Sequence, residues 1–173
     1  DYQVADLQEG KEIYNDRSYS FSQLPSELTD SSAKFIKSAN NDKKNSSEDY
    51  ISFDLSTDSI VYVAYDARAA YLPTWLQESF ESTDMTLMAS WGGIYNIYKK
   101  SVSAGEVVLG GNWAEGADTE GAGTNYITIV MNETSSTQED TSDSTNTSNI
   151  LEISQLSPSD YQVADLQEGK EIY

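Results

Sequence analysis

The 173-residue chain contains no cysteine and no histidine. Disulfides, thiolate nucleophiles, Ser-His-Asp triads and zinc sites with imidazole or thiolate ligands are therefore excluded. Because disulfides are absent, the sequence gives no indication of the redox compartment, and location has to be inferred from other features. No apolar run reaches the roughly 20 residues that a membrane-spanning helix needs, so we expect no membrane insertion.

Basic residues are also scarce. The chain has 10 lysines and arginines against 29 aspartates and glutamates, which gives a net charge of −19. Such a charge keeps a protein soluble and makes neighbouring copies repel one another. Nucleic acid is excluded as a partner, because phosphate binding needs a basic face.

What the sequence does contain is an internal repeat. The segment DYQVADLQEGKEIY stands at residues 1–14 and again, without a difference, at residues 160–173. This periodicity predicts a module at residues 1–131, a Ser/Thr/Asn/Asp-rich linker at 132–149 and the start of the next tandem repeat at 150–173. A period of one domain plus a linker favours a natural array over a duplication introduced by design, and both explanations stay open.

Each copy of the repeated segment has the pattern of a strand, a tight turn at QEG and a second strand. A lone strand pair is marginal in water and needs a sheet to join. The second copy is therefore predicted to add to a sheet edge of a neighbouring copy of the module. The residues expected to make this contact are Tyr161, Val163, Leu166 and Ile172.

Hydrophobic residues alternate with a period of two, which is typical of strands. The clearest pair is 49–55 and 59–66, joined by the turn residues TDS, and further β-rich runs lie at 33–38, 85–90, 93–102, 106–111 and 125–131. The segment PTWLQESF, with Pro73 in the first turn, predicts one short helix in a loop. We therefore expect an all-β fold, a jelly-roll-like antiparallel β-sandwich with one short loop helix.

Five stretches carry a family resemblance: NDRSYSFSQLPSEL, FIKSANNDK, YISFDLSTDSIVYVAYDARAAYLPTWLQESF, YKKSVSAGEVVLGGN and NYITIV. Together they cover most of residues 13–130. They resemble β-sandwich repeat or accessory modules of secreted bacterial surface proteins and polysaccharide-degrading enzymes. The resemblance implies an extracellular, jelly-roll-like domain that binds carbohydrate and carries no catalytic residue. It also implies that Asp16, Arg17, Asp66 and Arg68 are framework positions.

Aromatic rings pack against the C–H faces of sugars, so the carbohydrate-binding candidates are Trp113, Trp91, Tyr95, Tyr71 and Arg68. The alternative is that aromatics at strand spacing belong to the core. Trp113 is the best candidate because Gly and Asn place it in a loop, whereas Trp75 is expected to plug the core beneath the helix. For Arg17 and Arg68, the favoured alternative is a structural pair with the nearby aspartates.

Three further groups are weaker candidates. Asp54, Asp58 and Asp42 lie in Asp/Asn clusters that offer the hard oxygen ligands of a structural calcium ion, with a plain Asx turn as the alternative. The sequons at Asn45, Asn132 and Asn146 are glycosylation candidates. No catalytic residue is identifiable, and no other cofactor is expected.

Two functions are compatible with these features. The first is a non-catalytic tandem-repeat module of an extracellular fibre, stalk or adhesin, linked head to tail with neighbouring copies. The alternative is a carbohydrate-binding accessory module of a secreted polysaccharide-degrading enzyme, with polysaccharide as the partner. Both predict an extracellular or cell-surface protein that is not itself an enzyme.

Overall fold

The computed structural model describes residues 2–118, residues 123–133 and the strand at residues 151–156. The strands are β1 Gln3–Asp6, β2 Phe21–Gln23, β3 Lys34–Lys37, β4 Ile51–Leu55, β5 Ser59–Asp66, β6 Glu81–Ala89, β7 Ile94–Val102, β8 Gly105–Leu109, β9 Ile127–Asn132 and β10 Leu151–Leu156. One α-helix, α1, spans Thr74–Ser79, and short 3₁₀ turns lie at Ser26–Leu28 and Asn40–Lys44.

The strands form two sheets in which every pairing is antiparallel. The larger sheet has seven strands in the order β1-β3-β9-β5-β7-β6-β2, and the smaller has three in the order β10-β4-β8. The predicted all-β, sandwich-like fold with a short helix is confirmed.

The pair β4 and β5 shows why the alternating pattern was informative. Ile51, Phe53 and Leu55 of β4 all point into the core, and the intervening Ser52 donates a hydrogen bond of 2.9 Å to Glu106 on the neighbouring strand β8. Strand β5 does not alternate in burial, because both of its faces are covered. Its central position in the larger sheet accounts for its nearly continuous apolar sequence.

The protein has a core on each face of the larger sheet. One core fills the space between the two sheets and includes Phe53, Val63 and Leu109. The other lies on the opposite face, where the segment that carries Leu7, Tyr14 and other residues up to Ala33 covers the sheet. The stretch between β1 and β3 therefore acts as a third layer that the sequence pattern did not predict.

In the first copy of the repeated segment, the predicted first strand and turn are present, but only an isolated bridge stands where a second strand was predicted. Strand β1 pairs with β3, Gly10 takes a positive φ of 85° in the following turn, and a bridge joins Glu12 to Ser20. Residues 157–173, which include the whole second copy at 160–173, lie outside the described residues, as does the predicted linker beyond residue 133. The predicted contacts of Tyr161, Val163, Leu166 and Ile172 and the sequon at Asn146 therefore remain predictions.

Strand β10 precedes the second copy, in the part of the sequence assigned to the next repeat. It pairs with β4 at the edge of the smaller sheet, with Leu156 opposite Ile51 and Leu151 opposite Leu55. The sequence analysis did not predict a strand there. No helix in the described part of the chain is long and apolar enough to cross a membrane.

The two ends of the sandwich differ. Short connections at residues 56–58 and 103–104 close one end, between β4 and β5 and between β7 and β8. At the other end β3, β5, β6 and β8 finish, and β1, β4, β7 and β9 begin. We call this second end, with its longer connections, the loop end.

Candidate functional site

The loop end carries most of the carbohydrate-binding candidates that the sequence analysis selected. Arg68 and Tyr71 follow β5, Trp91 lies in the turn between β6 and β7, and Trp113 follows β8. Arg17 lies on the connection that leads to β2 at the same end. The surface with the longest loops therefore also carries exposed aromatic rings and guanidinium groups.

Asp66, the last residue of β5, anchors this surface. Its side chain is only 1% exposed and accepts four hydrogen bonds. The Arg68 guanidinium donates two of them, from Nε to Oδ1 at 3.0 Å and from Nη2 to Oδ2 at 2.7 Å. The backbone N–H of Arg68 and the hydroxyl of Thr124 donate the others, at 3.0 and 2.7 Å. The predicted structural pair is thus present, in the bidentate geometry that fixes an arginine most firmly.

The electrostatics of the pair follow from this geometry. Burial alone would raise the pKa of the Asp66 carboxyl, but the hydrogen bonds from Arg68 and Thr124 outweigh it and leave that pKa below its ordinary value of 3.8. The hydrogen bond to Asp66 in turn raises the pKa of Arg68. Both groups are therefore charged at neutral pH.

Although its partner is buried, Arg68 faces solvent. Its side chain is 48% exposed, and its guanidinium carbon lies 4.9 Å from the centre of the Trp91 ring. Within the described residues, its Nη1 group donates no hydrogen bond. A fixed guanidinium with a free donor, stacked on an indole, is suited to bind an oxygen-rich ligand.

The turn between β6 and β7 holds Trp91 in place. Gly92 has a φ of 88°, which favours glycine, and the indole lies so close over Gly93 that a Cβ there would stand 1.9 Å from the ring. Tyr19 packs on the indole at a centroid distance of 6.1 Å. Trp91 remains 38% exposed. The sequence gives a hint of this arrangement in the two glycines that follow the tryptophan.

Two further aromatic rings are more exposed. Tyr71 is 65% exposed and Trp113 is 46% exposed. Their backbones are fixed: Tyr71 forms a bridge with Asp118, and the Trp113 N–H donates to the Asn45 carbonyl at 2.8 Å. The exposure expected of a sugar-binding ring is thus found at both positions.

Tyr95 is a correction. The sequence analysis placed it among the sugar-facing residues, but its side chain is 0% exposed and belongs to the core behind the larger sheet. On β7 it alternates with the exposed Ile94, so strand geometry turns the tyrosine inward. Its hydroxyl lies 3.2 Å from that of Tyr14. Burial raises the pKa of both phenols.

Asp16 and Arg17 organise the neighbouring part of the loop end. The Asp16 carboxylate accepts backbone hydrogen bonds from Asn40 and Asn41 at 2.7 and 2.9 Å. Arg17 pairs with Asp16 at 3.3 Å and donates to the Asn41 side chain at 2.6 Å. These contacts fix a loop, which fits the framework role implied for both residues.

The three aspartates selected as calcium ligands are not brought together. Asp42 lies at the loop end, where Tyr2 and Tyr50 donate to its carboxylate, whereas Asp54 lies on β4 and Asp58 in the turn at the other end. Asp58 accepts the Ala104 N–H at 3.0 Å, as expected of a turn residue. In the described ranges, no group of three acidic side chains is arranged to hold a metal ion.

Two of the sequon asparagines lie within the described residues. Asn45 follows the 3₁₀ turn at Asn40–Lys44, is partly buried, and accepts the Ser47 N–H at 2.8 Å. Asn132 ends β9 and accepts a hydrogen bond from the Thr57 hydroxyl at 3.1 Å. Their modification remains a prediction.

Sequence reasoning missed a cavity of about 150 Å³ between α1 and the smaller sheet. Trp75, Phe80, Lys100 and Val107 are among the residues that line it, and the Lys100 ammonium lies 5.9 Å from the centre of the Phe80 ring. Trp75 packs on Phe80 and Tyr126, in agreement with its predicted place beneath the helix. The residues come from separate elements, so no local pattern in the sequence signals the cavity.

No protein-family model and no curated protein matches the chain by sequence. Among solved structures, a β-glucuronidase from glycoside hydrolase family 2 is similar with a TM-score of 0.66 and 20% identity, over 76% of this chain and 13% of that chain. A family 138 glycoside hydrolase that targets pectin rhamnogalacturonan II is similar with a TM-score of 0.53 and 12% identity, over 82% of this chain and 16% of that chain.

The chain shares its fold with domains of glycoside hydrolases. It spans only about a seventh of the length of either enzyme. At such low identity the likeness shows the fold alone, and it carries over no catalytic residue.

Proposed function

We propose that this chain is a non-catalytic carbohydrate-binding accessory module of an extracellular polysaccharide-degrading enzyme. The observation that carries the proposal is the Arg68–Trp91 pair at the loop end, fixed from below by the buried Asp66 carboxylate. The similarity in fold to domains of two glycoside hydrolases supports the choice of an accessory module over other β-sandwich functions.

The chemistry of the surface suits a polysaccharide. The exposed rings of Trp91, Trp113 and Tyr71 offer apolar area for the C–H faces of sugar rings. The Nη1 group of Arg68 supplies a donor for a hydroxyl or carboxylate oxygen of the ligand. Because Asp66 holds the guanidinium in place, little side-chain entropy is lost on binding.

The duplicated segment favours an arrangement of several modules in one protein. Identical sequences at residues 1–14 and 160–173 are the pattern of head-to-tail copies. Linked modules that each bind weakly reach a much higher overall affinity, because the second binding event is intramolecular. A fibre or stalk of such modules is therefore compatible with carbohydrate binding, with neighbouring copies as partners.

The test is electrophoresis of the protein through gels that contain neutral or uronate-bearing polysaccharides. For a polysaccharide that retards the wild type, Trp91→Ala and Arg68→Gln should each lower the affinity of the protein at least tenfold. Trp113→Ala should do the same if the binding surface extends to that ring. Lys99→Gln removes a positive charge from an exposed position on β7 and is the matched control. Equal retardation of the wild type and the Trp91 and Arg68 variants, or retardation of none of the proteins by any polysaccharide, would contradict the proposal.

A further inference from the structure

The smaller sheet has an edge that depends on a distant part of the chain. Strand β4 is central in that sheet and pairs with β8 on one side, while β10 covers its other side. Strand β10 comes from residues 151–156, immediately before the second copy of the repeated segment. The strand that pairs with the sheet of one module therefore comes, in the sequence, just before the first strand of another module.

Strand β10 runs in the direction that a strand leading into β1 of a following module would need. It runs antiparallel to β4 and ends at the loop end, with Leu156 opposite Ile51. Strand β1 begins at the same end, since Gln3 pairs with Lys37, the last residue of β3. A chain that leaves the β4 edge at this point is thus already at the end of the sandwich where the repeated segment starts.

The distance to be covered is short. Ile51 follows Tyr50, whose ring contacts that of Tyr2 at a centroid distance of 6.2 Å. In the second copy, Tyr161 corresponds to Tyr2, and four residues separate it from Leu156. Five extended backbone steps reach up to roughly 17 Å, which is enough to pass from the β4 edge to β1 across one end of a sandwich.

We propose that the segment LEISQLSPS, residues 151–159, is the leading strand of the module that follows it, and that the β4 edge is the acceptor for this strand. In the present structure, the β4 edge of one module holds the strand that leads into the next copy. Copies of the module can therefore exchange this strand, and the exchanged strand is the link between neighbours.

Chain connectivity favours the leading position over the trailing one. As a trailing strand, residues 151–156 are joined to β9 through the 18 residues from 133 to 150, whereas as a leading strand they reach Tyr161 through four. Because closure entropy grows with the logarithm of loop length, the shorter connection gives an effective concentration roughly ninefold higher. A module that has both strands available should fill its β4 edge with the leading one.

The test uses the full chain and follows amide hydrogen exchange in Ile51–Leu55 together with the melting temperature. The variant Gln155→Pro with Leu156→Pro disables the trailing strand, since successive N–H groups of a strand point to opposite sides and one of the two faces β4. We expect at least tenfold faster exchange at the β4 amides that pair with β10, and a lower melting temperature.

The leading position is then tested by placing LEISQLSPS ahead of Asp1 in that double-proline chain. We expect exchange to return to within about threefold of the original chain and the melting temperature to recover. The control is the same leader with proline at its two corresponding positions, which should restore neither. The proposal is overturned if the double-proline variant exchanges like the original chain, or if the intact leader gives no more protection than the control leader.

Discussion

Arg68 is exposed, and yet it is held by two hydrogen bonds to a carboxylate that lies in the interior. Asp66 is 1% exposed and accepts hydrogen bonds from both sides, from Arg68 and from Thr124 on the segment that leads into β9. The hydrogen bond from Thr124 to Asp66 therefore joins the end of β5 to the segment that leads into β9. The same contacts that stabilise the fold also fix the orientation of the proposed binding residue.

Replacing Asp66 with asparagine should lower the free energy of unfolding by about 2 kcal/mol, since a charged acceptor of four hydrogen bonds is lost. Urea denaturation at pH 7 measures this change. The control is Asp84→Asn, at an exposed position on β6, which should alter stability by less than about 0.5 kcal/mol. Equal stability of the two variants would show that the Asp66 contacts contribute little.

The difference in stability between the wild type and Asp66→Asn should depend on pH, and the direction of this dependence follows from the pKa of Asp66. The pKa of Asp66 in the folded protein lies below its ordinary value of 3.8, so its ionised form stabilises the fold above that value. This contribution is lost as the pH falls through the lower pKa of the folded state. The stability gap between the wild type and Asp66→Asn should be constant above about pH 5 and narrow below about pH 4. Urea titrations at several pH values test this, and a gap that widens in acid would contradict it.

Two buried threonines near the start of β9 provide a matched comparison. The Thr124 hydroxyl donates to Asp66 at 2.7 Å, whereas the Thr128 hydroxyl is buried and has no hydrogen-bond partner among the described residues. Thr124→Val should destabilise the protein by about 1–2 kcal/mol, because it leaves a carboxylate oxygen short of a donor. Thr128→Val should be neutral or stabilise it by up to about 1 kcal/mol, because it removes an unpaired polar group. Thermal denaturation of both variants measures these changes. A Thr128→Val variant less stable than Thr124→Val would refute the hydrogen-bond assignment.

At the scale of elements, the sequence predicted the strands that carry a clear alternating or apolar pattern and missed two strands at sheet edges. Strands β4 and β5 have a clear alternating or apolar pattern and a short turn between them. The three residues of β2 are too few to show an alternating pattern, and β10 lies about 100 residues along the chain from its partner β4, so tertiary pairing determines both. Tyr95 was misjudged because alternation tells which residues share a face, but not which face meets a core.

The helix α1 was predicted because proline and apolar residues at helical spacing leave a local signal. Its Leu76 is 0% exposed and joins the core between the sheets. Leu76→Ala should therefore cost about 3 kcal/mol of stability through the cavity that it leaves. Glu78→Ala, on the exposed side of the same helix, should change stability by less than about 0.5 kcal/mol. Chemical denaturation of both variants measures the difference, and similar stabilities would mean that the helix does not anchor the core.

At the scale of the whole molecule, the two ends of the sandwich differ in the length of their connections and in the residues that they expose. The turns at residues 56–58 and 103–104 are tight. Asp58 of the first turn joins them, since its carboxylate accepts the N–H of Ala104 in the second. The loop end carries the long connections, the Arg68–Asp66 pair and the exposed rings of Trp91 and Trp113. The sequence identified several of these residues as candidates, but only the strand order shows that they share one end.

This asymmetry leads to a prediction about where a polysaccharide binds. With a ligand that the wild type retains, amide exchange should slow at residues 67–71 and 90–93, because the proposed binding surface is built on those two loops. Residues 56–58 and 103–104, at the other end, should be unaffected and serve as the internal control. Protection centred on residues 100–109 and on α1 would instead place the ligand in the cavity lined by Trp75 and Lys100. Protection at the tight-turn end would contradict any role for the loop end, since a bound sugar chain must cover the backbone that it contacts.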